Sequence, residues 1–144
     1  MIPEPLQFAV NQIIGRSKSK ESTIYGVLPI WPCFAHMIYE GSKKFEYRKQ
    51  KPRDGVTTFL IYETKPHSHI TGAVSISHVI SGPPKSIWEE TSLFSGLDEQ
   101  SFFSYFSGVE QANAWRVSHS GKFAEPILLS ALNITPPQSI RYLT

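Results

Sequence analysis

Apolar and polar positions along this chain follow two rhythms, and the changes between them mark out its elements. Leu6 to Ile14, entered through Pro3 and Pro5, sets Phe8, Val10, Ile13 and Ile14 at the spacing of a short amphipathic helix. Gly15 to Thr23 is polar, charged and aperiodic, which predicts a linker. Residues 1–24 therefore read as a helical extension and linker ahead of a domain over 25–144.

From Tyr25 the pattern strengthens. Tyr25 to Ile30 predicts a strand, and Pro32 opens a helix carrying Phe34, Met37 and Ile38 until Gly41 stops it. Lys43 to Lys49 alternates as a second strand, with Pro52 to Gly55 as its turn. Thr57 to Glu63 is nearly continuous in β-branched, aromatic and apolar residues, the pattern of a buried central strand. Ile70 to Ile80 predicts a longer strand in which Gly72 marks a bulge or tight bend. Beyond Ser81-Gly82-Pro83-Pro84, Lys85 to Ser92 forms a short helix. Asp98 caps another, with Phe102, Phe103 and Phe106 as its stripe and Gly108 as its stop. Gln111 to His119 and Phe123 to Leu129 read as two strands parted by Ser120-Gly121. The order β-α-β-β-β-α-α-β-β predicts an α+β fold: a small mixed barrel of about five mostly antiparallel strands with helices at its openings.

Charge changes this picture at one place. Lys43 to Arg53 holds six of the fourteen Lys and Arg residues. On a strand, Phe45 and Tyr47 share one face, while Lys44, Glu46 and Arg48 share the other. One face can join a core while the other offers cations around a single acid, as a nucleic-acid contact surface does. The net charge is only +2, so the distribution of charge matters more than its sum. Residues 1–53 hold nine bases and four acids, whereas 86–115 hold five acids and no Lys or Arg, which predicts an electrically lopsided molecule.

Cys33 is the single cysteine, which excludes a disulfide framework and reads as a buried structural thiol. His67 and His69 share a strand face, but without a Cys or carboxylate-rich set they make a weak zinc case, and no metal or other cofactor is expected. No Walker loop, dinucleotide fingerprint or nucleophile elbow is present. With no signal-peptide pattern and no long apolar run, a soluble cytoplasmic protein without membrane contact is expected.

An ordered series of residues resembles the ASCH domain of the PUA-like superfamily. It begins with Leu28-Pro29-Ile30-x-Pro32 and Ile38-x-x-Gly41-x-Lys43-x-x-Glu46-x-Arg48. It continues through Leu60-Ile61-Tyr62, Phe102-x-x-Tyr105-Phe106-x-Gly108 and Pro126-Ile127-x-Leu129 to Pro136-Pro137-Gln138-Ser139-x-Arg141-Tyr142. The resemblance implies a β-barrel with a cleft beside the first helix of the domain. It also implies binding of RNA or modified bases, and in some members enzymatic activity. The deacylating branch uses a Lys, a Thr nucleophile three residues later and a distant Glu. Here Lys43 matches the Lys, but Glu46 stands at the Thr position, which disfavours an N4-acetylcytidine amidohydrolase.

The expectation is a binding module for RNA or single-stranded nucleic acid that reads a base, plain or modified, in the cleft. Lys43, Lys44, Arg48, Lys49, Lys51 and Arg53 are its phosphate candidates. Trp31, Glu46, Tyr62 and Arg141 are the base-contact candidates, although Tyr62 also reads as core and Arg141 as a clamp on the tail. The alternative is a ribonuclease or modified-nucleoside hydrolase in which Lys43 and Glu46 act together. The N-terminal helix is a candidate surface for a protein partner. Trp88, Trp115, Phe102, Phe103 and Phe106 are assigned to packing.

Overall fold

The computed structural model describes residues 4–15 and 25–143, so the predicted linker lies outside the described residues except for Gly15. Six strands form one curled sheet: β1 (Gly26–Ile30), β2 (Phe45–Arg48), β3 (Thr58–Glu63), β4 (His69–Gly82), β5 (Ala112–Ile127) and β6 (Arg141–Tyr142). Their spatial order is β2-β5-β4-β3-β1-β6, antiparallel except for the parallel β1–β3 pair. The helices are α1 (Glu4–Ile14), α2 (Pro32–Glu40), α3 (Pro84–Thr91) and α4 (Glu99–Tyr105).

Local chemistry explains the element ends nearest the cleft. Pro32 starts α2, where its missing N–H costs nothing. Gly41 ends it in the left-handed region at φ 94°, donating its N–H to the Met37 and Ile38 carbonyls. Asp98 caps α4 by accepting from the Ser101 N–H at 2.7 Å, a bond that holds its carboxyl below the usual range.

The core has three parts. Under α2, Leu28, Ile30, Phe59, Ile61, Val74 and Trp115 fill the curl of the sheet. On the outer face α1 buries Leu6 and Val10 against Tyr25, Val27, Leu60 and Tyr62, and leaves Phe8 exposed. The third part joins Phe45 and Tyr47 of β2 to Ile87, Phe102 and Phe106 of α3 and α4. The acid-bearing helices thus pack directly beside the basic strand instead of on an opposite side. Among the described residues no helix is long and apolar enough to cross a membrane.

Two expectations from the sequence fail here. Gln111–Leu129 is not two strands, because β5 runs unbroken through Ser120-Gly121 with Ser120 opposite Val74 and Gly121 opposite Ala73. Gly121 is a place of close approach, where an added Cβ would meet Ile13 of α1 at 3.1 Å. Cys33 is exposed on the first turn of α2 and not buried, because the buried face there is taken by Ala35 and Ile38. Gly72 does sit where the ladder is irregular, with register shifts between Ile70 and Gly72 and opposite Ile61/Tyr62.

Candidate nucleic-acid interface

Among the described residues the sheet edges β2 and β6 do not pair with each other, and side chains span the seam. Arg48 donates from Nη2 to the Pro29 carbonyl at 2.9 Å, tying β2 to β1. Farther along, the Arg53 N–H donates to Tyr142 Oη at 2.8 Å, and the Arg53 guanidinium lies 4.1 Å from the centre of that ring. Between β1, the start of α2, β2 and α4 the seam opens into a cleft of ≈ 480 Å³. That is a size suited to a small ligand or a single nucleotide base.

Its floor is polar and its walls are aromatic. Glu46 accepts from Arg48 at 3.0 Å while Arg48 also holds Pro29, so the carboxylate is fixed in place. Arg48 Nε is buried without a hydrogen-bond partner among the described residues. Lys43 is 2% exposed. Its Nζ donates to the Ser95 carbonyl at 2.6 Å and lies 5.4 Å and 5.0 Å from the ring centres of Phe34 and Tyr47. Burial pushes the Lys43 pKa down; Glu46 opposes that shift and Arg48 adds to it. Trp31 stands at the mouth, 65% exposed, with its ring 8° from parallel to Phe34 at 5.9 Å. Across the cleft, Leu97 and the α4 residues Ser101, Ser104 and Tyr105 form the facing wall. Burial raises the Tyr105 pKa, against the nearby Arg48 cation.

The fold therefore gathers Trp31, Lys43, Glu46 and Arg48 into one cleft. Lys49 reaches its rim, 4.9 Å above the Tyr105 ring, and Lys44 lies over Phe94 at 4.5 Å on the other flank. Lys51 is exposed past the end of β2, and Arg53 belongs to the far part of the seam. Tyr62 is core, packed under α1, and does not line the cleft. Arg141 is exposed on β6 and is also outside it, while the tail is held by backbone pairing to β1 and by Leu143 N–H to the Tyr25 carbonyl at 2.7 Å. Nor does β2 present the open polar face its alternation suggests. The curl of the sheet and the flanking α2 and α4 leave Glu46 only 9% exposed.

Two cleft residues, Phe34 and Tyr105, do not stand out in the sequence. Phe34 reads as an ordinary apolar position of α2. Tyr105, three residues after Phe102 and beside Phe106, resembles part of the apolar stripe, and its hydroxyl is the only local sign that it faces something polar.

A curled half-barrel of this topology, with helices flanking an aromatic and cationic cleft, defines a PUA-like module. The chain belongs to the ASCH domain family, whose family model matches residues 28–138, and the ASCH domain is an RNA-binding module of that class. It is 30% identical over 123 residues to an ASCH domain-containing ribonuclease of Zymomonas mobilis, covering 81% of this chain and 82% of that one. The crystal structure of ASCH from Zymomonas mobilis matches with a TM-score of 0.76 at 29% identity, covering 83% of this chain and 87% of that one. The large ribosomal subunit protein uL22 of Ureaplasma parvum is 27% identical over 128 residues; the match covers 88% of this chain but 41% of the ribosomal protein.

Proposed function

We propose that this protein binds single-stranded RNA and holds one unstacked base in the cleft between α2 and α4. The observation that carries the reading is Trp31, a large aromatic left exposed at the mouth of a cleft whose floor is a fixed carboxylate among cations. A base stacks on Trp31, while Glu46 accepts from its edge, as a carboxylate does from the exocyclic amine of cytosine. The cleft has room for a substituent on that base, so a modified base fits the same reading. Arg48, Lys43 and the rim residue Lys49 supply positive charge to the backbone, and Lys44, Lys51 and Arg53 extend it on either flank. An RNA ligand fits a cytoplasmic location.

A second reading, a ribonuclease using Lys43 and Glu46, is favoured by the ribonuclease relative of Zymomonas mobilis. End-labelled single-stranded RNA tests both: a gel shift at low and moderate salt reports binding, and a denaturing gel reports cleavage. Binding should weaken with salt, the logarithm of affinity falling by about 0.7 per phosphate neutralised for each unit of log salt. Absence of a shift would sink the RNA reading. Glu46→Gln separates the two, since a binder loses discrimination between bases while a nuclease loses turnover. For Trp31→Ala, affinity is expected to fall by about five- to 150-fold, the worth of one stacked base. Its melting temperature should stay close to that of the parent because the side chain is exposed. An unchanged affinity would remove Trp31 from the site.

A further inference from the structure

Between α3 and α4 the chain places two large apolar side chains where a connection is ordinarily polar. They are Leu93 and Phe94, on the short 3₁₀ turn Ser92–Phe94. Leu93 is 90% exposed and Phe94 42%, and as described neither joins any of the three parts of the core. Burying such a side chain is worth roughly 1.5–3 kcal/mol, so two exposed in succession forgo stability that the fold could have gained. The turn is nevertheless tied to the cleft. The Lys44 N–H donates to the Phe94 carbonyl at 2.9 Å, and the next carbonyl, of Ser95, accepts from Lys43 Nζ at 2.6 Å on the cleft floor. Ser95 Oγ accepts from the Leu97 N–H at 3.0 Å, and Leu97 lines the cleft wall.

A single exposed Leu or Phe on a turn is commonplace. What exceeds that here is the charge beside the pair. Lys44 Nζ lies 4.5 Å from the centre of the Phe94 ring, and Arg116 Nη1 comes within 3.5 Å of the Lys44 carbonyl. The other end of β2 repeats the arrangement, with Tyr105 40% exposed and Lys49 4.9 Å above its ring. Lys44 and Lys49 stand roughly 16 Å apart along an extended chain, with the cleft residues Glu46 and Arg48 between them. Lysine is depleted at contacts between proteins, whereas an aromatic face with cations beside it is how surfaces for single-stranded nucleic acid are built.

We propose that Phe94 is a second base-stacking site, outside the cleft, for another nucleotide of the RNA strand whose base the cleft holds. This rests on the RNA-binding reading. An unpaired base lies on the open part of the Phe94 ring, with Leu93 extending the apolar surface. Lys44 turns from the ring to the phosphate of that nucleotide, and Arg116 adds a second cation at the same end of β2. A phenyl ring offers a face and no hydrogen-bonding group, so this site accepts any base. Selection among bases stays with Glu46 in the cleft. The ligand is then an oligonucleotide and not a free nucleotide: stacked bases rise about 3.4 Å each, so a strand that reaches from Phe94 to the Tyr105 rim presents several.

The test titrates the full chain against an end-labelled RNA octamer of cytidylates in a gel shift. Phe94→Leu keeps an apolar side chain and removes the ring, so affinity should fall by about five- to 150-fold, the worth of one stacked base. Phe94→Trp keeps a ring and should bind at least as tightly as the parent. Both variants should melt with the parent, because the side chain lies outside the core. Parental affinity in Phe94→Leu, or the same loss in both variants, overturns the proposal while the parent's own shift upholds the binding reading. A parent chain that sediments as a dimer, with Phe94→Leu a monomer, assigns the apolar pair to a second copy and also overturns it. A parent chain that does not shift the octamer overturns both readings.

Discussion

Gly72→Ala is expected to melt roughly 10 °C below the parent chain, a loss of about 3 kcal/mol. An added Cβ at this position would overlap the carbonyl oxygen of Gly121 and come within 2.6 Å of Tyr39 Oη. The first obstacle is backbone in the neighbouring strand β5. The second is a side chain fixed by its 2.7 Å hydrogen bond to Thr71. The carbonyl cannot step aside without disturbing the β4–β5 ladder at a point where its register already shifts. Gly121→Ala is the control. Its Cβ would meet only side-chain atoms of Ile13 at 3.1 Å and beyond, so α1 can adjust, and the loss should be less than half as large. Urea or thermal unfolding of the two variants decides the matter. Equal losses would mean that the close approach at Gly72 does not limit the fold.

The same pair of strands shows how much of the fold is legible locally. Gly72 announces a bend because a glycine inside an otherwise β-branched run weakens the strand unless the backbone needs the space. Gly121 follows the same rule but reads as a turn, since Ser-Gly between two apolar runs also matches hairpin chemistry. What distinguishes them is α1 overhead, a long-range contact that no local window contains. The cleft divides in the same way. Lys43, Glu46 and Arg48 stand out because charge on an alternating strand is a local signal. Their burial is not legible, since it depends on the sheet curling until β2 faces β1, and on α2 and α4 flanking the gap. Tyr62 admits both readings locally, cleft or core, and what selects the core is the side of the sheet it occupies, which belongs to α1.

Cation placement follows one physical theme around the cleft. Lys44, Lys49 and Arg53 each lie over an aromatic ring, of Phe94, Tyr105 and Tyr142. These contacts cover the aliphatic stems and limit the motion of the charged ends without neutralising them. The charges therefore remain available to phosphate, which a salt bridge would have diminished. Arg48 is different, because its charge is opposed by Glu46 and it holds the seam shut. Besides the charge it brings to the cleft, it fixes the Glu46 carboxylate at the position of the proposed base contact.

Lys43→Met should separate function from stability at the centre of the cleft. The parent buries an ammonium that donates to the Ser95 carbonyl, and burial lowers its pKa from the ordinary lysine value. The unfolded chain then binds this proton more tightly than the folded one. Across the window between the lowered pKa and about 10.4, the parent should therefore gain stability as pH rises. Met fills a similar volume without the charge, so the variant should lose that alkaline gain. At neutral pH it should be more stable than the parent by about 1 kcal/mol or more. RNA affinity should move the other way, falling about tenfold or more with the loss of a charge-assisted hydrogen bond. Urea unfolding at neutral and alkaline pH, together with gel shifts, reads both effects. A variant that is less stable at neutral pH and binds RNA as the parent does would make Lys43 a structural residue. The opposite pair of results would show why a lysine occupies a site that favours an apolar side chain: the charge is retained for the ligand.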